Sequence, residues 1–291
     1  MYHEGDGIIA LREERAFVDL SDRRKVRVSG ADAVPWLHDL LTADIASLPR
    51  GGAVRSLLLS PTGRIRADVH VTRGEGDVLI LQEPAQREHI GLLLHPYLLS
   101  SDVRLEDATH DLAVLSVLGA AARLVGRPGT SPSALGPGVD VITPTGKPAW
   151  RVEDALVKAD LVEAGPGDVE AWRVLRGLPR MGMDFGEDSL PAEAGLETAI
   201  DFTKGCFLGQ ESVARVRNLG HPPRVLRHVS TDGELRPGEV VLSGVTAVGQ
   251  VTSAAIAGGE TVAIVRVRWE AADATLALPD GRVFRDIPHM H

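Results

Sequence analysis

Between Arg64 and Val71 the chain alternates without a break. Ile65, Ala67, Val69 and Val71 take one face of an extended segment, and Arg64, Arg66, Asp68 and His70 take the other. A period of two is incompatible with a helix and requires a sheet with one covered face. The segment follows Ser60-Pro61-Thr62-Gly63, with proline early and glycine late as a tight turn demands. Before that turn, residues 54–59 read as a strand. The spacing therefore predicts a hairpin of strands 54–59 and 64–71. Its polar face has two readings. A row of two arginines, an aspartate and a histidine is the wet side of an antiparallel sheet, or it lines a ligand cleft.

The remaining pattern is α+β. Residues 25–28 read as a strand, and 32–41 as a helix with Val34, Leu37 and Leu41 on one face behind a cap candidate at Asp32. Residues 84–94 read as a helix stopped by His95-Pro96. Strands follow at 103–106 and 113–117. The stretch 126–138, rich in Pro, Gly and Ser, is a surface connection. A helix over 167–176 ends at Gly177-Leu178-Pro179. After His221-Pro222-Pro223 come short β-rich runs at 225–229, 240–242, 248–252, 261–269 and 275–278, separated by glycines. That spacing predicts a small antiparallel β-barrel at the C-terminus. It divides the chain into 1–220, itself two subdomains, and 221–291.

Composition sets limits on function. With 291 residues, 44% hydrophobic and 24% charged, the chain buries a substantial core. A net charge of −9 argues against general nucleic-acid binding and against an anionic membrane surface. Locally the sign reverses: from residue 204 to 228, five Lys and Arg face only Glu211. One cysteine makes no intramolecular disulfide, which fits a reducing, cytoplasmic setting. The first residues are charged and lack an apolar signal-like stretch, and no run of 18 apolar residues would span a membrane. No metal centre is expected. Asp107, His110 and Asp111 share one short loop without further ligands, and His289-Met290-His291 reads as a frayed end.

The single cysteine lies in Lys204-Gly205-Cys206-Phe207-Leu208-Gly209-Gln210-Glu211. Two glycines make a tight loop around it. A helix is predicted over 210–218, with Val213 and Val216 on one stripe. A helix N-terminus and the Lys204 ammonium both favour thiolate over thiol, while Glu211 opposes them. The alternative is an inert, buried cysteine, since a free thiol is often a small core residue.

This string resembles the signature of the YgfZ folate-binding family, which is related to the glycine-cleavage T-protein (GcvT). Further matches are Val28-Ser29-Gly30-Ala31-Asp32, Asp44 within Leu41-Thr42-Ala43-Asp44-Ile45, and Ser60-Pro61-Thr62-Gly63-Arg64. Gly177-Leu178-Pro179-Arg180, Asp184, residues 191–200, Arg215, Gly220 and Arg224 continue the match, which covers the chain from about Phe17 onward. The resemblance implies a GcvT/YgfZ-like ring of subdomains around a central folate hole faced by the cysteine loop. It implies tetrahydrofolate or a derivative as cofactor, held by Arg224 and Arg173, with Cys206, Lys204 and Asp68 as chemical groups. It implies iron–sulfur enzymes or their maturation factors as partners, and through them tRNA modification. Two departures stand out. T-proteins carry paired aspartates at the hairpin where this chain has Ala67-Asp68. They also carry a glutamate at the position of Leu175. Two alternatives stay open: a tetrahydrofolate-dependent aminomethyltransferase using Asp68 as base, and a non-catalytic folate-sensing scaffold.

Overall fold

The alternating segment does form a hairpin. Ala53–Leu59 (β3) and Ile65–Arg73 (β4) pair antiparallel, in a register that sets Arg55 opposite His70 and Leu57 opposite Asp68. The ladder extends through Asp77–Gln82 (β5), Arg24–Ser29 (β2) and Arg104–Asp107 (β6), in the order β3-β4-β5-β2-β6. Ala67, Val69, Val71, Val26, Val28 and Ile80 are buried against Trp36, Leu37 and Leu40 of a helix, Ala33–Leu40 (α2), and against Ile90–Leu94 (α3). Each buried valine or isoleucine contributes about 1.5–3 kcal/mol. A slip of one residue would send Arg66, Asp68 and His70 into that core instead, so the register is fixed.

The computed structural model describes residues 5–99, 101–119, 122, 130–145, 156, 160–257 and 259–288. A second sheet is mixed: Val162–Glu163 (β10) lies parallel to Ala16–Asp19 (β1), and the order is β10-β1-β7-β9-β8. Here β7 is Leu112–Leu118, β8 is Thr130–Pro132 and β9 is Gly138–Pro144. Asp6–Arg12 (α1) and Pro166–Leu175 (α4) pack on it through Ile8, Leu11, Trp172 and Val174. The same core takes Leu79 and Leu81 of β5, and Ala255 and Val262 from the last sheet. The three sheets are thereby fixed against one another.

That last sheet is antiparallel, in the order β12-β13-β14-β11-β15. It comprises Arg224–Thr231 (β11), Val240–Ser243 (β12), Thr246–Ala257 (β13), Glu260–Arg268 (β14) and the two-residue Arg285–Asp286 (β15). It curls as a half-barrel around Val229, Leu235, Val251, Val265, Leu276 and Phe284. The half-barrel is the part of the expected β-barrel that the described residues form. Among them no continuous ladder joins β12 to β15, and residues 275–278 supply only single bridges from Ala277 to Leu242 and Val283. Pro279 has no N–H to extend that ladder, and a turn closes at once as the Gly281 N–H donates to the Leu278 carbonyl.

The helix expected over 84–94 is confined to α3. Two glutamines hold the chain ahead of it in an irregular path. The Asp68 N–H donates to Gln86 Oε1 (3.1 Å), Gln86 Nε2 donates to the Asp68 carbonyl (2.6 Å), and the Ile90 N–H donates to Gln82 Oε1 (2.9 Å). Strand β5 was hidden in the run 77–82. Of the connection expected over 126–138, residues 126–129 lie outside the described residues, and 130–132 form β8. No helix among the described residues is long and apolar enough to cross a membrane.

Candidate functional site: a central cavity and an outward thiol

The polar face of the hairpin becomes one wall of a cavity of about 520 Å³. Its other walls are the turn after β1, the loop 132–136, helix α4 and the segment 178–181. Asp68 and His70 line it, and so does Arg55 from the partner strand. Arg55 holds Asp68 in a two-pronged pair, Nε to Oδ1 at 2.9 Å and Nη2 to Oδ2 at 2.5 Å. The Arg55 side chain is nevertheless 37% exposed, and the cavity accounts for surface in a strand whose following residues are buried. Arg23 is a second guanidinium on the wall. It is paired with Glu83, and its Nε is buried without a partner among the described residues. Arg180 is a third, held by Glu170 at 3.0 Å, and its Nε is likewise buried and unpaired. Buried donors left unpaired are uncommon.

His70 donates from Nε2 to the Pro132 carbonyl (3.1 Å), since a carbonyl can only accept. Burial pushes its pKa below the ordinary 6.5, and Arg23 and Arg55 act in the same sense. Asp140 and the Pro132 carbonyl oppose them. The imidazole is therefore neutral at pH 7, with Nδ1 as a bare acceptor.

Arg173 also lines the cavity, but its donors are committed to the protein. Nε and Nη2 grip Glu170 at 2.7 and 2.5 Å, Nη1 reaches Asp184 at 2.7 Å, and Nη2 also reaches Ser253 Oγ at 2.7 Å. Asp184 takes two further hydroxyl donors, Thr252 and Ser253. This buried network ties α4 to the 178–184 segment and to β13. Arg224 lies at the exposed start of β11 and is not part of the cavity wall.

The cysteine loop stands apart from the cavity wall as well. Gln210–Leu219 (α5) begins four residues after Cys206, and Gly209 precedes it at φ +82°. A Cβ on Gly209 would sit 2.4 Å from the Ser60 carbonyl, so only glycine allows this approach to the hairpin turn. Phe207 is buried with Leu57, Leu59 and Ile65. Lys204 points at the end of α2, donating from Nζ to the carbonyls of His38, Leu41 (2.7 Å) and Ala43 (3.1 Å). Burial lowers its pKa to about 8, with Asp44, Asp39 and Asp201 opposing, so at pH 7 it is still an ammonium. Its bonds cap a helix, a role different from the thiolate partner expected from sequence. Cys206 itself is exposed.

The sequence reading missed Arg55, Arg23, Arg180, Glu83 and Glu170. One signal was present: Arg55 is the one charged residue of its strand, Ala53–Leu59. The others come from turns and a helix that only the tertiary fold brings together.

Comparison with known proteins places this geometry. Residues 5–132 match the GCVT N-terminal domain. A crystal structure of glycine cleavage system aminomethyltransferase T from Bartonella henselae superposes with a TM-score of 0.81 at 20% identity, over 97% of this chain and 88% of that one. The fold is GcvT-like. An aminomethyltransferase from Rubrobacter xylanophilus is 28% identical over 84% of this chain and 73% of its own length. A putative chloroplastic transferase from Arabidopsis thaliana is 25% identical over 81% of this chain, which spans 61% of that relative's length.

Proposed function

We propose that this chain is a folate-binding protein of the YgfZ type, which takes a reduced folate in the central cavity and supports iron–sulfur enzyme assembly or repair through Cys206. The observation that carries the reading is the division of labour in the string 204–211. Lys204 caps α2, Phe207 fills a core and Gly209 permits a close approach, while Cys206 is left exposed without a packing role. A thiol with no structural duty is free to meet a partner protein or its cluster.

The residues present fit a folate. A cavity of about 520 Å³ falls within the size range of ligand sites, roughly 300–1,000 Å³. Arg23, Arg55 and Arg180 supply cations for carboxylates, and Asp22 and Asp68 supply acceptors for ring N–H groups. When bound, a tetrahydrofolate would supply nitrogens that carry a one-carbon unit. Around it the chain orients the ligand by these groups and excludes water with Val18, Val169 and Trp172.

Aminomethyl transfer is the weaker reading. Ala67 is fully buried on the core face, so no carboxylate stands at that position. Both oxygens of Asp68 are held by Arg55, which removes its freedom to act as a base. Leu175 packs partly buried against the second core and offers no acceptor.

Complementation of a strain lacking its own YgfZ-type protein tests the proposal. Cys206→Ser is expected to fold normally and fail to restore iron–sulfur enzyme activity. Full restoration by that variant would favour a folate-sensing scaffold. Formaldehyde or methylene-tetrahydrofolate formation from an amine donor would favour the transferase.

A further inference from the structure

The hairpin floor of the cavity carries an arrangement that folate binding alone does not require. Arg55 and His70 are register partners on adjacent strands, which brings their side chains to within roughly 5 Å at Cβ. Arg55 uses Nε and Nη2 on Asp68, with Nη2 also 3.4 Å from the Pro179 carbonyl. Its Nη1 has no partner among the described residues. His70 uses Nε2 on Pro132, and its Nδ1 has no partner among them either. Arg23 acts on the same imidazole from the turn after β1. Two of the surrounding cations are already balanced in pairs, Arg55 by Asp68 and Arg23 by Glu83, while Asp140 favours the charged imidazole. Asp140 on β9 is buried behind, with one carboxylate oxygen unpaired.

We propose that Arg55 and His70 form a carboxylate subsite on the cavity floor, and that filling it draws one proton onto His70. The chemistry follows from the two open ring and guanidinium positions. A carboxylate accepts from Arg55 Nη1. Neutral His70 would face it with the lone pair of Nδ1, which repels. Protonated His70 presents an N–H there, keeps its bond to Pro132, and balances the added negative charge. The proton comes from solvent or buffer, and the Nδ1–H bond it makes is the only bond formed in the protein. The inference rests on the cavity being the ligand site. It does not rest on which molecule brings the carboxylate: the glutamyl tail of a folate, or a separate small acid bound beside a reduced pterin.

Calorimetry in two buffers of different ionisation enthalpy tests it, with three probes. Tetrahydrofolate carries both parts, 6-methyltetrahydropterin lacks the tail, and glutarate is the acid alone. Uptake of about one proton with tetrahydrofolate and none with the pterin assigns the subsite to the tail. Uptake with glutarate in the presence of the pterin assigns it to a separate acid. In either case affinity falls by about tenfold per pH unit between the pKa of His70 in the free protein and its raised pKa in the complex. His70→Gln keeps an amide donor for Pro132 and is expected to abolish both the uptake and the pH slope. Arg55→Lys, which keeps the charge beside Asp68, is expected to weaken the carboxylate probe and spare the pterin. No proton uptake with tetrahydrofolate and none with glutarate beside the pterin, or uptake unchanged in His70→Gln, overturns the subsite while leaving folate binding intact. If tetrahydrofolate does not bind at all, the folate reading fails. The subsite is then judged by the His70 imidazole resonance, identified by its loss in His70→Gln. A rise of its pKa with glutarate upholds the subsite, and an unmoved titration overturns it.

Discussion

Replacing Lys204 by Met separates a structural lysine from a catalytic one. The ammonium donates to three carbonyls, those of His38, Leu41 and Ala43, at and just beyond the C-terminal end of α2. A hydrogen bond to a charged group contributes about 1.5–3 kcal/mol net. The site is only partly buried, so water recovers some of what is lost, and methionine keeps the packing of the stem. The expected cost is about 2–4 kcal/mol, or roughly 4–16 °C in melting temperature at 2–4 °C per kcal/mol. Urea unfolding of wild type, Lys204→Met and Cys206→Ser at pH 7 reads this directly. Cys206→Ser is expected to overlay the wild-type curve, because the thiol is exposed. A Lys204→Met midpoint equal to wild type would refute the cap and return Lys204 to the chemistry of the thiol.

Three further outcomes are expected. Gly209→Ala forces a side chain into a left-handed backbone and against the Ser60 carbonyl at 2.4 Å; a loss of about 2 kcal/mol or more in urea unfolding checks it. Arg173→Met removes the cation from the Glu170–Asp184 network, so a loss of about 3–5 kcal/mol is expected by the same assay. His70 titrates below its ordinary 6.5 in the folded protein. Below pH 6.5 the unfolded chain therefore binds the proton more readily. The stability of wild type relative to His70→Gln is full above 6.5 and falls as pH drops through the folded pKa; thermal melts from pH 8 to pH 5 measure the difference.

Much of the scaffold was legible because its signals are local. The strict alternation of 64–71 set the hairpin and its two faces, and the apolar stripe around Leu37 gave α2. The motif glycines marked the turn before α5. The cavity was only half legible. Asp68 and His70 share a strand and could be read together, but Arg55 joins them through cross-strand register, and Arg23 and Arg180 through the packing of distant turns. Side-chain bonding misled the reading of 84–94, where Gln82 and Gln86 impose a path that helical propensity does not suggest. The carbonyl partners of Lys204 were not legible because nothing in its neighbourhood along the chain reveals the end of α2, more than 160 positions earlier.

The central claim is that the cavity between the hairpin, α4 and the loop 132–136 binds a reduced folate. The most direct test is calorimetric titration of tetrahydrofolate into wild type, Val169→Trp and Arg224→Ala, each first shown to melt cooperatively. Val169 lines the cavity and Arg224 does not. The account predicts micromolar binding to wild type, loss in Val169→Trp, and retention in Arg224→Ala. No binding to wild type at millimolar folate would contradict it, and so would binding undiminished by the tryptophan.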